Sequence, residues 1–318
     1  MTTDKLLNLM VAKRTDETGD ILSVELADPD GNCLPPFEAG AHIDIHVAEG
    51  LVRQYSICNS PSDRYRYRLG ILRASQSRGG SSSLHAALKP GTRLAVGAPR
   101  SAFRLREGST FGVLVGGGIG ITPLMSMAHR LHELGTPFEL HYCVRSQAQA
   151  AFISELASCK FKSAVQFHFD DGDPKQRFSP AVFAQRTAAD LYLCGPAGFM
   201  EWVTSSAVAA GLATGRIHSE RFSAAPLAGG CTFTVKAARS GVTVDVTDKQ
   251  TIADALHTVG VSVQMSCEQG VCGTCLTRVV EGVPDHRDLF QTEAEKAANT
   301  HIAPCCSRSL SSVITLDI

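Results

Sequence analysis

Three cysteines within nine residues, Cys267-Glu-Gln-Gly-Val-Cys272-Gly-Thr-Cys275, and a fourth at Cys305 constrain this chain more than any other feature. A loop that presents three thiolates so closely must bend sharply around a small anionic core. The C-x4-C-x2-C spacing with a distant fourth thiolate is that of plant-type [2Fe-2S] centres. Gly270 and Gly273 allow positive φ and bring N–H groups toward sulfur, where they stabilise negative charge. Structural zinc is the competing occupant, but it usually draws on two short ligand pairs. The second pair here would be the vicinal Cys305-Cys306, which does not easily chelate one tetrahedral ion. Cys272-Gly-Thr-Cys275 also has the spacing of a thioredoxin-like redox pair, without the βαβ pattern that should precede it.

Five of the eleven cysteines follow residue 266, so the thiols read as metal-binding, redox or buried residues rather than a disulfide framework. With 318 residues, 44% hydrophobic and 19% charged, the chain has material for about two domains and a small third, and disorder is excluded as its dominant state. A net charge of -1 gives no global attraction for nucleic acid or an acidic membrane. The run from Leu6 to Ala12 is too short and polar for a signal peptide, which implies a cytoplasmic protein. The low-charge stretch from Phe111 to Met125 holds five glycines and a proline, so no transmembrane helix is expected.

Three segments follow different patterns. Residues 1–105 alternate apolar and polar positions in short runs such as Ile21–Leu26, His42–Val47 and Tyr67–Leu72, which predicts a closed antiparallel β-barrel with one helix at Ser82–Leu88. Residues 106–225 switch to apolar strands followed by helices: Gly112–Val115 then Pro123–Leu134, Phe138–Val144 then Ala148–Ala157, Leu191–Leu193 then Ala197–Ala210. That alternation predicts a parallel α/β sheet. A small, flexible linker at 226–231 leads to a third segment, 232–318. It should contain a hairpin (232–247), a helix after Thr251 with Asp254 in capping-box position, the cysteine loop, a strand at Leu276–Val280, a capped helix at Thr292 and a last strand at Val313–Leu316.

Two further motifs lie in the front segments. Arg53-Gln-Tyr55-Ser56 on a barrel strand, then Arg73 and Arg78-Gly79-Gly80-Ser81-Ser82 at a helix start, combine cations, free amides and an aromatic face, as a flavin phosphate and ring require. By itself an Arg-x-Tyr-Ser strand is equally an ordinary surface-to-core alternation. Gly116-Gly117-Gly118-Ile-Gly120-Ile-Thr122-Pro123 ends a strand and opens a helix, where a pyrophosphate can meet backbone and helix N-terminus. It is not the G-x-G-x-x-G fingerprint, and a tight sheet-to-helix turn is the plain alternative. Cys194-Gly195-Pro196 makes a second strand-to-helix turn; taken alone, Cys194 reads as a buried structural thiol.

Together and in this order, these motifs resemble the phthalate dioxygenase reductase family, which includes vanillate demethylase reductase subunits and belongs to the wider ferredoxin-NADP reductase-like group. The resemblance covers almost the whole chain and implies FMN on the barrel, NADH on the α/β segment and a C-terminal β-grasp ferredoxin of α+β type. It places Tyr55 and Ser56 against the isoalloxazine, the serine hydroxyl near N5. It assigns Arg53 and the Gly79, Gly80, Ser81, Ser82 turn to the phosphate side, Arg73 to cofactor binding, Thr122 to the flavin's vicinity and Phe222 to its face. Gly117, Gly118 and Gly120 would carry the dinucleotide, and Gly195 and Pro196 the nicotinamide. Ser56 and Cys194 stand as the catalytic pair, and Cys267, Cys272, Cys275 and Cys305 as the cluster ligands. Cys305 lies thirty positions after Cys275, and adjacent residues of an extended segment face opposite ways, so only Cys305 of the vicinal pair is expected to face the cluster.

The implied activity is electron transfer from NADH through FMN and [2Fe-2S] to a Rieske-type oxygenase by a monomeric chain. A nicotinamide gives up a hydride and the cluster takes one electron; a flavin bridges the two. NADH preference rests on the resemblance, because Arg145 after the strand Phe138–Val144 can also accept a 2′-phosphate. Two other readings stand beside it: a reductase that serves another monooxygenase, and a non-catalytic flavin and iron-sulfur relay or sensor.

Overall fold

The first sheet is built from short strands, of which the one opening at Ile21 is buried on both faces as far as Val24. β1 (Leu7–Asp16), β2 (Ile21–Ala27), β3 (His42–Ala48), β4 (Leu51–Ser56), β5 (Arg66–Leu72) and, after helix α1 (Gly80–Ala87), β6 (Arg93–Val96) pair in the order β4-β3-β6-β1-β2-β5. This computed structural model describes residues 6–48, 51–73, 80–222 and 229–318. The β1–β2, β1–β6, β2–β5 and β3–β6 ladders are antiparallel. The sheet closes where Ile57, just past β4, bridges to Leu69 of β5 and the Cys58 amide donates to the Arg68 carbonyl at 2.8 Å. Leu22, Val24, Leu26, Ile43, Ile45, Leu69 and Ile71 fill its interior. The expected barrel is therefore present, its terminal strands joined by this bridge and backbone bond.

The second sheet is built on β7 (Gly112–Gly117), followed by α2 (Ile121–Glu133), β8 (Phe138–Val144), α3 (Ile153–Leu156), β9 (Val165–Phe169), β10 (Asp190–Cys194), α4 (Ala197–Ala209) and β11 (Ile217–Glu220). Its order is β11-β10-β7-β8-β9, all parallel. Every residue of β7 and β10 is buried, as strands covered on both faces require. α2 begins two residues before Pro123 because a first-turn residue has no helical acceptor for its N–H, so a proline costs nothing there.

The helix expected at Ala148–Ala157 is a correction: only Ile153–Leu156 is α-helical. Ala150 is extended and Phe152 sits at φ 59, ψ 11, which interrupts the helical backbone despite an alanine-rich sequence. The edge strands β9 and β11 were not anticipated. The order reverses between β7 and β10, so the sheet's ligand crevice falls at their carboxyl ends. Those ends are Gly117 and Cys194.

The described residues fall into two compact units: those up to 47 with 53–221, and 48–52 with 222–318. Both sheets above form the core of the first unit. In the second, β12 (Phe233–Ala237), β13 (Val242–Val246), α5 (Ile252–Thr258), β14 (Thr277–Glu281), β15 (Pro284–Asp285), α6 (Glu293–Ala298), β16 (His301–Ile302), β17 (Arg308–Ser309) and β18 (Val313–Leu316) follow. The main sheet runs β13-β12-β18-β14-β16, with β12 and β18 parallel. α5 packs Ile252, Ala255 and Leu256 against Phe233, Val235, Ile314 and Leu316, a β-grasp arrangement. Both anticipated capping boxes form, Thr251 with Asp254 and Thr292 with Glu295.

Candidate functional site

In the second unit, the cysteine loop is shaped by backbone that only a few residues tolerate. Gly270 has φ +71, and a Cβ there would lie 2.5 Å from the Cys306 sulfur and 3.1 Å from the Asp288 Cα. The four expected ligands fall into two pairs. Cys275 Sγ donates to Cys305 Sγ at 3.3 Å, and Cys267 is hydrogen-bonded to Cys272. Sharing one proton within a pair splits the thiols. Cys267 is held well above the ordinary thiol range by its bond to Cys272, whereas Cys272 is lowered by the same bond. Cys305 is drawn down by Cys275, but contact with Cys306 and burial outweigh this and leave it at about 12.

Backbone amides already point at the sulfurs. The Gln269 N–H donates to Cys267 Sγ at 3.3 Å, and Cys305 receives one from Gly270. Such donors stabilise thiolates and the core they hold. Among the described residues, no three His, Cys, Asp or Glu side chains close on a single ion. A diiron core needs two thiolates per iron and so fits two separate pairs; one tetrahedral zinc needs all four sulfurs around one centre.

The segment bearing Cys305 corrects one expectation. Pro304–Cys306 form a turn, not an extended stretch, so strand alternation does not decide between the vicinal thiols. Both are buried. What separates them is partnership: Cys305 meets Cys275, while Cys306 is bonded to Cys305 and lies 3.8 Å from both the Ala303 carbonyl and the Ser307 hydroxyl.

In the first unit, Ser56 ends β4 and is 5% exposed. Cys194 ends β10, fully buried, and lies in register with Gly116 on one side and Glu220 on the other. Burial and then Glu220 push the Cys194 thiol far up, so it stays neutral. Glu220 is the residue that the sequence reading missed. Its carboxyl is raised from 4.5 to about 8 by burial, against the bond from the Ser56 hydroxyl, and its Oε2 has no partner. The run Ser219-Glu220-Arg221-Phe222 carries no periodic signal for that role. Only the pairing of β11 with β10 brings the acid to Ser56.

This carboxyl makes stability pH-dependent. The folded state binds a proton that the unfolded chain gives up at about 4.5, so the extra stability is complete below that pH and is lost as pH rises to about 8. One pKa unit corresponds to ~1.4 kcal/mol, so the effect reaches several kcal/mol. Glu220→Gln is expected to flatten the fall in melting temperature between pH 5 and pH 9 in calorimetry. An unchanged slope would show that another group carries it.

Tyr55 is half-buried against the barrel core, its hydroxyl raised to about 12 by burial, and Arg53 lies close enough to oppose that shift. The exposed Arg73 donates to His85 Nδ1 at 3.3 Å, and His85 Nε2 donates to the Ile71 carbonyl at 2.9 Å. Because that carbonyl only accepts, Nδ1 is the acceptor for Arg73. Gly80, Ser81 and Ser82 open α1; Gly79 lies outside the described residues, as do Arg78 and the linker residues 226–228. Thr122 is buried and its hydroxyl donates to the Ile119 carbonyl at 2.9 Å, so its one proton braces the glycine turn. Gly117 ends β7, Gly118 and Gly120 form the following 3-10 turn, and Gly195 and Pro196 link β10 to α4. Phe222 is half-buried and belongs to the second unit.

Residues 235–310 match the model of the 2Fe-2S iron-sulfur cluster binding domain. The chain is 46% identical over 303 residues to the vanillate O-demethylase oxidoreductase of Pseudomonas sp. (strain HR199 / DSM 7063), covering 94% of this chain and 96% of that one. It is 38% identical over 320 residues to the phthalate dioxygenase reductase of Burkholderia cepacia, covering 99% and 98%. This chain belongs to the phthalate dioxygenase reductase family. A solved phthalate dioxygenase reductase, described as a modular structure for electron transfer from pyridine nucleotides to [2Fe-2S], superposes with a TM-score of 0.81 at 38% identity, covering 99% of this chain and 98% of that one. As a family member the chain is an oxidoreductase of the kind that supplies oxygenases, and its C-terminal unit is a [2Fe-2S] domain. Among the described residues, no helix is long and apolar enough to cross a membrane.

Proposed function

We propose that the chain is a cytoplasmic, monomeric NADH-dependent reductase that carries electrons through FMN and its [2Fe-2S] cluster to a Rieske-type oxygenase acting on an aromatic compound. Residues 1–105 would hold FMN, 106–225 NADH and 232–318 the cluster, joined by the linker 226–231. The observation that carries this reading is the meeting of Ser56, Cys194 and Glu220 at the carboxyl ends of β10 and β11, beside the crevice where a parallel sheet binds its nucleotide.

Bound FMN supplies acceptance of a hydride and release of its electrons one at a time. The protein's part is placement. Arg53, Arg73 and the first turn of α1 would hold the phosphate, and Tyr55 offers a flat face. Ser56 presents a hydroxyl whose direction is fixed by donation to Glu220. The neutral Cys194 closes the floor without introducing charge. Glu220, largely protonated at neutral pH, keeps a buried anion away from the site of hydride arrival. Cys267 and Cys272 would hold one iron, Cys275 and Cys305 the other.

Ser56→Ala is expected to slow stopped-flow flavin reduction by NADH about tenfold or more, with FMN affinity changed less than about threefold, because the hydroxyl orients the reacting atom and adds little to phosphate anchorage. Unchanged reduction would remove Ser56 from the mechanism. Wild-type protein that binds flavin but is not reduced by NADH would instead favour the relay reading.

A further inference from the structure

Phe152 stands out because it breaks a helix that its sequence favours. Its φ of 59 is in the left-handed region that residues with a Cβ seldom occupy, and its ring is buried. Two barrel residues hold it there. The Glu17 carboxylate, between β1 and β2, accepts the Phe152 N–H at 3.1 Å through Oε2. Its Oε1 accepts the Ser23 hydroxyl at 2.6 Å and pairs with Arg68 of β5 at 3.2 Å. The Arg68 guanidinium lies 5.0 Å from the centre of the Phe152 ring and reaches on to Glu155 of α3. Glu17 and Arg68 are mostly buried, at 12% and 19% side-chain exposure, so solvent screens this network less than a surface pair.

The held ring lies where the parallel sheet touches the barrel. Gly70 of β5 lacks the Cβ that would come within 3.0 Å of Phe152 Cζ, 2.7 Å of Thr122 Cγ2 and 3.1 Å of Ile119 Cδ1. Ile119 and Thr122 belong to the glycine turn, and Thr122 braces that turn through its hydroxyl. One gap in a barrel strand therefore receives both the turn after β7 and the strained residue before α3. The Phe152 N–H bond to Glu17, beside the Arg68–Glu155 pair, ties the segment before α3 to the barrel. Its geometric consequence is to fix how far the glycine turn stands from the barrel.

We propose that Glu17 and Phe152 form a latch, seated at Gly70, that sets the position of the nucleotide-binding turn relative to the flavin-binding barrel and so the distance over which hydride passes. The proposal rests on the reductase reading for its functional half. Both are positioning residues, since the contacts that carry the argument are with protein groups: Ser23, Arg68 and each other. Release of the latch leaves the turn's own amides intact, so nucleotide affinity holds while the reacting atoms drift apart. Transfer rates fall steeply with such displacement.

The test uses the full-length holoprotein and two variants, Glu17→Ala and Phe152→Gly; glycine adopts positive φ freely, so the second keeps the backbone while it deletes the seated ring. Hydrogen–deuterium exchange should show the Phe152 amide exchanging about tenfold faster in Glu17→Ala, in protein without NADH. Stopped-flow reduction by NADH should show the limiting rate down about tenfold in both variants, with the Kd for NADH within about threefold, FMN content unchanged and the electron paramagnetic resonance signal of the dithionite-reduced cluster unchanged. Unchanged exchange in Glu17→Ala, or an unchanged limiting rate in both variants, overturns the latch. Failure of the wild type to be reduced by NADH overturns the reductase reading instead, and the exchange result is independent of it.

Discussion

Cys305→Ser is expected to yield protein that retains FMN and is still reduced by NADH, yet has lost most of its iron and nearly all electron transfer to a one-electron acceptor such as cytochrome c. A serine oxygen is a poor substitute for a thiolate on iron, and the Cys275 sulfur at 3.3 Å would lose its partner. Cys306→Ser should keep the visible spectrum and activity nearly intact, because the Cys306 thiol is bonded to its vicinal neighbour and to groups at 3.8 Å, the Ala303 carbonyl and the Ser307 hydroxyl, rather than to Cys275. Iron analysis and electron paramagnetic resonance of the reduced variants decide the matter. The reverse pattern would move the fourth ligand to Cys306 and require the Pro304–Cys306 turn to rearrange on cluster binding.

Gly120→Ala should be nearly as severe at the other end of the electron path. A Cβ on Gly120 would run into the Cys194 carbonyl and come within 2.8 Å of the Gly195 nitrogen. Both are backbone atoms, so no rotamer change relieves the clash and the two strand-to-helix turns must part. These turns sit at the ends of β7 and β10 and define the crevice. Flavin reduction by NADH is expected to fall by about two orders of magnitude or more, as transfer is acutely sensitive to ångström misplacement. Dithionite should still reduce both centres. Reduction by NADH within about twofold of wild type would show that the crevice does not need this close approach.

Much of the fold was legible because it depends on local periodicity. Alternation along Ile21–Leu26 and Tyr67–Leu72 gave barrel strands, and wholly apolar Val113–Val115 gave a buried parallel strand. Thr251 with Asp254 and Thr292 with Glu295 cap helices through bonds three residues apart, within reach of a sequence pattern. The failures are the reverse case. The alanines of 148–157 favour a helix, but a carboxylate from residue 17 holds Phe152 out of it. Cys305 and Cys306 lie in a turn that no local rule indicated, and their different roles follow from Cys275 and Ser307.

The sequence by itself determined the cluster loop. Three thiols in nine residues leave the backbone few ways to run, and the fourth follows at a characteristic interval. It also determined the sheet types and both glycine-bearing turns, since these depend on residue type over spans of four to ten positions. The tertiary structure alone decided that Glu220 stands beside Cys194 and binds Ser56, that His85 aims Arg73, and that Glu17 reaches Phe152. The physical reason is that a carboxylate or an imidazole has no periodicity. What it does is set by whichever distant strand folding brings within hydrogen-bond distance and by how much water is excluded there.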